Sequence, residues 1–320
     1  MALLEKMQTL IIMLAIGVGL LLGQSPLLSS FAEDLIIPFL FLMLYGLFLT
    51  IPLQQMKAAF FNIRFLCASI VINFIWTPLL AFGLGAIFLT DQPALWIGFI
   101  MLMVTPCTDW YLMFTSIAKG NVALSTAILP VNLLLQVILL PLYLLLFTGT
   151  IEPIPMATLL ESIILVLVIP FVLAHGTRFL SRKHETALNK RVIPFFAAGQ
   201  TLFLSLAIAC MFASQGAILL DNLSIIYTLI MPVLLFFAIN YFVGHLIGKW
   251  LHFSYADTVS LELTIIARNS PVALAIAVTV FPDQPLIALA LVVGPLIELP
   301  VLTFISQLLL RTKRKSAING

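Results

Sequence analysis

Four ionisable side chains lie deep inside apolar runs of this chain: Asp109, Glu262, Arg268 and Glu298. An Arg or Asp at the centre of a bilayer costs at least about 2.5–3.5 kcal/mol on insertion scales, so such groups face cavities and pair. Arg268 reads in two ways. It is half of an ion pair with Asp109 or Glu262 that closes the core, or it is a binding cation that also balances protons. Glu298 has no basic residue near it in sequence. A carboxyl in apolar surroundings can gain and lose a proton near neutral pH, as coupling to a proton gradient requires. The alternative is a protonated group held by a neighbouring helix. Cys107 follows Pro106, a helix breaker. A helix N-terminus beside its thiol favours the thiolate, and thiolates suit soft, thiophilic centres. Cys67 and Cys210 read as small buried hydrophobes. Thr108, Asn269 and Ser270 flank the same interruptions and offer hydroxyl and amide lining. Asn73, Ser125, Asn132, Gln136 and Asn240 are weaker candidates, because intramembrane amides and hydroxyls often bond only between helices. His175 and His245, near the cytoplasmic ends of apolar runs, and His184 and His252, between runs, read as interfacial. No disulfide framework or metal-ligand spacing is present, so neither a metal nor a cofactor is expected.

The composition sets what must position these residues. Hydrophobic residues make up 62% of the chain and charged ones 9%, where a soluble domain carries about 25% charged residues. Lipid is therefore the solvent for most of this protein. A spanning helix needs about 20 apolar residues. Transmembrane strands would alternate apolar and polar residues, and runs such as Ile163–Ala174 and Leu286–Val293 do not. Runs and breakers predict an all-α polytopic protein with ten spans, at 7–23, 35–52, 64–89, 94–117, 121–148, 156–178, 193–214, 223–250, 256–281 and 285–310. Cytoplasmic loops are enriched in Lys and Arg. Of the 15 such residues all but Arg268 fall at the termini or around even-numbered loops, and the odd-numbered loops have none. Both termini are expected in the cytoplasm, and the chain in the cell (inner or plasma) membrane. The basic stretches 178–191 and 311–315 read as topology anchors beside anionic lipid.

The halves 1–150 and 151–320 are self-similar. Pro106 and Pro271 are separated by the same interval as Pro130 and Pro295, and Ile72-Asn73-Phe74 resembles Ile239-Asn240-Tyr241. Two halves of five spans enter the membrane from opposite sides, which makes an inverted repeat of the kind secondary transporters use. The fourth and ninth spans correspond, and each is interrupted, at Val104–Asp109 and at Ala267–Pro271. Backbone groups freed at membrane depth are tolerated only against protein or a water-filled cavity, so the two breaks point to the site.

Thr105-Pro106-Cys107-Thr108 and the stretch Val292–Val301, with Gly294-Pro295 and Glu298-Leu299-Pro300, resemble motifs of the arsenite permeases of the arsenical-resistance family. Lys119–Ser125 is similar to the wider bile acid:sodium symporter superfamily. The resemblance implies a core domain with crossing, discontinuous fourth and ninth helices and a smaller panel domain. It implies export of arsenite, and in some members antimonite, in exchange for protons. A cysteine in the fourth span and a late glutamate are needed in that family, and Cys107 and Glu298 stand at those motif positions. Two departures matter. No acid follows the ninth-span break, and Tyr111-Leu112 and Arg268 stand roughly where sodium-coupled members carry sodium ligands.

The expected function is alternating-access export of a small inorganic oxyacid, with Cys107, Thr108, Arg268, Asn269 and Ser270 binding it and Asp109, Glu262 and Glu298 handling protons. The alternative is sodium-coupled symport of a bile-acid-like or other organic anion, with Arg268 binding its charge. An intramembrane enzyme would need a nucleophile–base set at depth, and neither His-Glu-x-x-His nor Gly-x-Ser-x-Gly occurs. Nothing resembles a nucleic-acid patch.

Overall fold

The computed structural model describes residues 2–50, 62–108, 110–148, 157, 160–161, 164–181, 188–221 and 224–318. Asp109, Arg182, Lys183 and His184 lie outside the described residues. The fold is all-helical. Six described helices are long and apolar enough to cross a membrane, and Leu10–Leu22, Pro93–Met103, Ile164–Leu180 and Ser270–Val280 are shorter apolar helices.

The helices α1 (Ala2–Leu22) and α2 (Pro26–Thr50) come first. Next, α3 (Ile63–Val71) runs through a wide π-turn, Ile72–Trp76, into α4 (Thr77–Phe88). Pro78 explains the turn, since it has no N–H to keep the helical ladder in step. The Thr77 N–H reaches back to Ile72 O instead. Then come α5 (Pro93–Met103), α6 (Trp110–Ile117), α7 (Val122–Tyr143), α8 (Ile169–Leu180) and α9 (Ile193–Asp221). The last are α10 (Ser224–Trp250), α11 (Tyr255–Ile266), α12 (Ser270–Val280) and α13 (Pro285–Ile318).

The chain forms two compact units, each drawing on both sequence halves. The first holds Met1–Ile51, Ile154–Ile225 and Pro271–Val292. Within it α9 packs along α2 and α1, and α8 packs on α2. At Gly19 a Cβ would lie 2.4 Å from Ala209 O, so only glycine lets α1 approach the α9 backbone this closely. Arg178 donates from Nε (2.9 Å) and Nη2 (2.5 Å) to Leu49 O. It thereby caps one of the carbonyls that end α2 without intrahelical donors.

The second unit holds Pro52–Pro153, Ile226–Ser270 and Val293–Gly320, and with them every described candidate residue of the site. The motif Lys119–Ser125 has a structural job here. Lys119 turns the chain with φ 59°. Asn121 caps α7 by accepting the Leu124 N–H (3.1 Å) and donates from Nδ2 to Asp257 Oδ1 (2.8 Å). The α6–α7 turn is thus clamped to the start of α11.

Candidate functional site

The two interrupted helices meet at their interruptions. After α5 ends at Met103 and α11 at Ile266, the unwound segments run antiparallel and pair. The Cys107 N–H donates to Ala267 O (3.0 Å) and the Asn269 N–H to Thr105 O (2.7 Å). Pro106 and Arg268 face each other as a non-hydrogen-bonded pair. That is the ladder position where a proline's missing N–H costs nothing. The second proline plays another part. Pro271 stands in the first turn of α12, where no intrahelical donor is needed.

Arg268 fills this crossing and is 2% exposed. Its guanidinium donates to Ile266 O from Nε (3.0 Å), to Met103 O from Nη1 (2.8 Å) and to Asn73 Oδ1 from Nη2 (3.2 Å). It also donates to Ile265 O. Met103 ends α5, and Ile265 and Ile266 end α11. One cation therefore stops the carbonyl ends of two half-helices, where partial negative charge gathers. The Phe236 ring of α10 lies 5.3 Å from Cζ, within cation–π range. Asn73 is delivered by the π-turn.

The main-chain N–H of Arg268, unused by the ladder, donates to Glu298 Oε1 (2.8 Å). Glu298 lies on α13 and is 1% exposed. One turn earlier a Cβ on Gly294 would come 2.4 Å from Leu102 Cδ2, so the glycine lets α13 settle against α5. Thr108 Oγ1 accepts from Asn269 Nδ2 (3.3 Å), and both residues are buried. Cys107, Thr108, Arg268, Asn269, Ser270 and Glu298 thus share one crossing. Among the described residues, the hydrogen bond between Glu298 and Arg268 runs through the Arg268 main chain and not its guanidinium.

Glu262 does not join them, so of the two carboxylates weighed as ion-pair partners for Arg268 it is not the one. The guanidinium turns back onto the last carbonyls of its own helix. Glu262 instead has His245 Nδ1 of α10 3.1 Å from Oε1. His245 is half exposed and Glu262 is fully buried. Gly244 and Gly248 make the pairing possible. A Cβ on Gly244 would lie 3.0 Å from Glu262 Cγ, and one on Gly248 2.5 Å from Thr258 Cγ2. Small residues four apart let two membrane helices approach closely. The sequence reading of His245 as merely interfacial missed its partner. The Gly-x-x-x-Gly spacing around it was the available signal.

Residues 37–222, more than half of the chain, match the family model described as the sodium bile acid symporter family. The chain belongs to this family. Arsenical-resistance protein Acr3 of Corynebacterium glutamicum is 25% identical to it, over 93% of this chain and 86% of the relative. An uncharacterized transporter of Synechocystis, slr0944, is 26% identical over 96% and 88%. An uncharacterized sodium-dependent transporter of Bacillus subtilis, YocS, is 24% identical over 80% and 77%. This family member is a membrane transporter, and its polar crossing is buried among apolar helices. The Thr105–Thr108 and Glu298 motifs both converge on that crossing.

Proposed function

We propose that this transporter exports arsenite, and antimonite with it, by proton antiport with alternating access, and is not an enzyme. The observation that carries the reading is a sealed crossing holding one thiol, hydroxyl and amide groups, and a buried carboxyl. The name of the Corynebacterium relative points to the same cargo. At neutral pH arsenite is a neutral trihydroxy acid. The Cys107 thiol would form one As–S bond as one As–O bond breaks, its proton leaving with the hydroxyl as water. A single sulfur binds loosely enough to release. Thr108, Asn269 and Ser270 would hydrogen-bond the remaining hydroxyls, while Arg268 holds the breaks in shape. The Arg268 N–H needs one lone pair of Glu298, which acid and carboxylate both offer. Glu298 can therefore exchange its proton without unpinning the break. Asp109 and Glu262 would share the proton handling.

The same reading takes the ten spans as two inverted repeats, 1–150 and 151–320, forming a core and a panel domain. Both termini would face the cytoplasm, in the cell (inner or plasma) membrane.

Sodium-coupled uptake of an organic anion is the second reading, favoured by the name of the Bacillus relative. Against it stands Arg268. Carriers hold Na⁺ on carbonyls of unwound helix ends, and here a guanidinium takes Met103 O, Ile265 O and Ile266 O. Proteoliposomes with imposed proton or sodium gradients separate the two. Arsenite flux driven by a proton gradient and indifferent to sodium is expected; sodium-dependent taurocholate flux without arsenite flux would overturn the reading.

A further inference from the structure

Two side-chain amides on α7 are enclosed and find no hydrogen-bond partner among the described residues. Asn132 and Gln136 are each 0% exposed, and neither the amide N nor O of either has a hydrogen-bond partner among the described residues. Four residues apart, they stack on one face of the helix. Ser125, on the same face two turns earlier, adds an unpartnered hydroxyl, although its carbonyl holds the Tyr111 hydroxyl at 2.6 Å. This stripe belongs to the unit that holds the crossing. There α7 packs on α6, on α11 and on the π-turn that carries Asn73.

A buried polar group without a partner lowers stability, and intramembrane amides ordinarily escape this by bonding between helices. Among the described residues these two amides find no partner, so the fold gains nothing from them there that leucine would not supply better. A visiting solute accounts for their presence. Each amide offers two N–H donors and an oxygen with two lone pairs. Such a pair matches a small neutral molecule with several hydroxyls, each donor and acceptor at once. It matches an organic anion poorly, because the one cation among the described residues of the crossing has its guanidinium engaged by four protein oxygens.

We propose that Asn132 and Gln136 form a second binding station for the neutral trihydroxy acid, separate from Cys107. The station is closed in this conformation and opens as the carrier changes access. The proposal rests on the arsenite reading above.

The test uses the full chain with Asn132→Leu, Gln136→Leu and the double substitution, reconstituted for arsenite flux and followed in parallel by thermal unfolding. Unfolding temperatures equal to or above wild type are expected, with flux reduced about tenfold per substitution. Wild-type flux at unchanged or raised stability would mean that the amides are idle, and overturns the station. Lowered stability would mean that they have partners within the fold, and overturns it equally. If the wild type moves no arsenite, the cargo reading fails instead. The same variants are then compared with wild type for taurocholate flux: unchanged flux means that the amides are idle, and reduced flux gives them to an organic anion, and either result overturns a station for the trihydroxy acid.

Discussion

Replacing Arg268 with methionine removes the guanidinium but keeps an unbranched side chain. Four buried acceptors lose their donor: Met103 O, Ile265 O, Ile266 O and Asn73 Oδ1. An unsatisfied buried acceptor costs about 1–3 kcal/mol, so a plain sum is about 4–12 kcal/mol. The sum overshoots, because removing the cation also recovers its desolvation cost. Breaking a buried charged network from one side costs about 3–5 kcal/mol, and that is the expected loss here. Against a total stability of about 5–15 kcal/mol it is large. Arg268→Lys keeps the charge but has three donors on one nitrogen and no planar fork to reach two helix ends, so it should fall between. The assay is thermal unfolding of purified protein by tryptophan fluorescence, together with the amount inserted in membranes. The expected order is wild type, then Arg268→Lys, then Arg268→Met. An Arg268→Met protein that unfolds at the wild-type temperature would refute the capping argument, since the carbonyl ends would then be satisfied without the guanidinium.

Other substitutions separate shape from transport. Glu298→Gln still accepts the Arg268 N–H through its amide oxygen, so unfolding should stay near wild type while proton-driven export is lost; Glu298→Ala should also cost about 1–3 kcal/mol in a denaturation series. Cys107→Ala should abolish arsenite resistance in a sensitive host with insertion unchanged in membrane fractions. Gly244→Val should cost about 1–3 kcal/mol by overpacking, since even a Cβ there meets Ile265 Cδ1 at 2.9 Å and Glu262 Cγ at 3.0 Å. Its unfolding temperature should drop, and Gly244→Ala should drop less.

Much was legible without coordinates because it depends on local pattern. Apolar run length sets which segments are helices in lipid, and the helices overlap those runs. Pro106 marks an unwound segment because it lacks a donor, and Pro271 marks the restart of a helix for the same reason. The rarity of charge in apolar runs singled out Glu262, Arg268 and Glu298.

Partnership was not legible in this way. By type Arg268 had two carboxylates to choose from, Asp109 and Glu262, yet among the described residues its guanidinium bonds three carbonyls and an amide, two of these acceptors far off in sequence on α5 and the π-turn. Main-chain carbonyls look alike in every sequence, and only the antiparallel pairing of two unwound segments shows which of them lack donors. Glu262 and His245 met because two glycines let α10 and α11 close, and Asn132 and Gln136 stood out only once no partner for their amides was found among the described residues. The sequence by itself determined the solvent, the helices and the residues too costly to be idle in lipid. The tertiary structure alone decided which buried groups are satisfied, because that depends on contacts between helices, which local pattern does not encode.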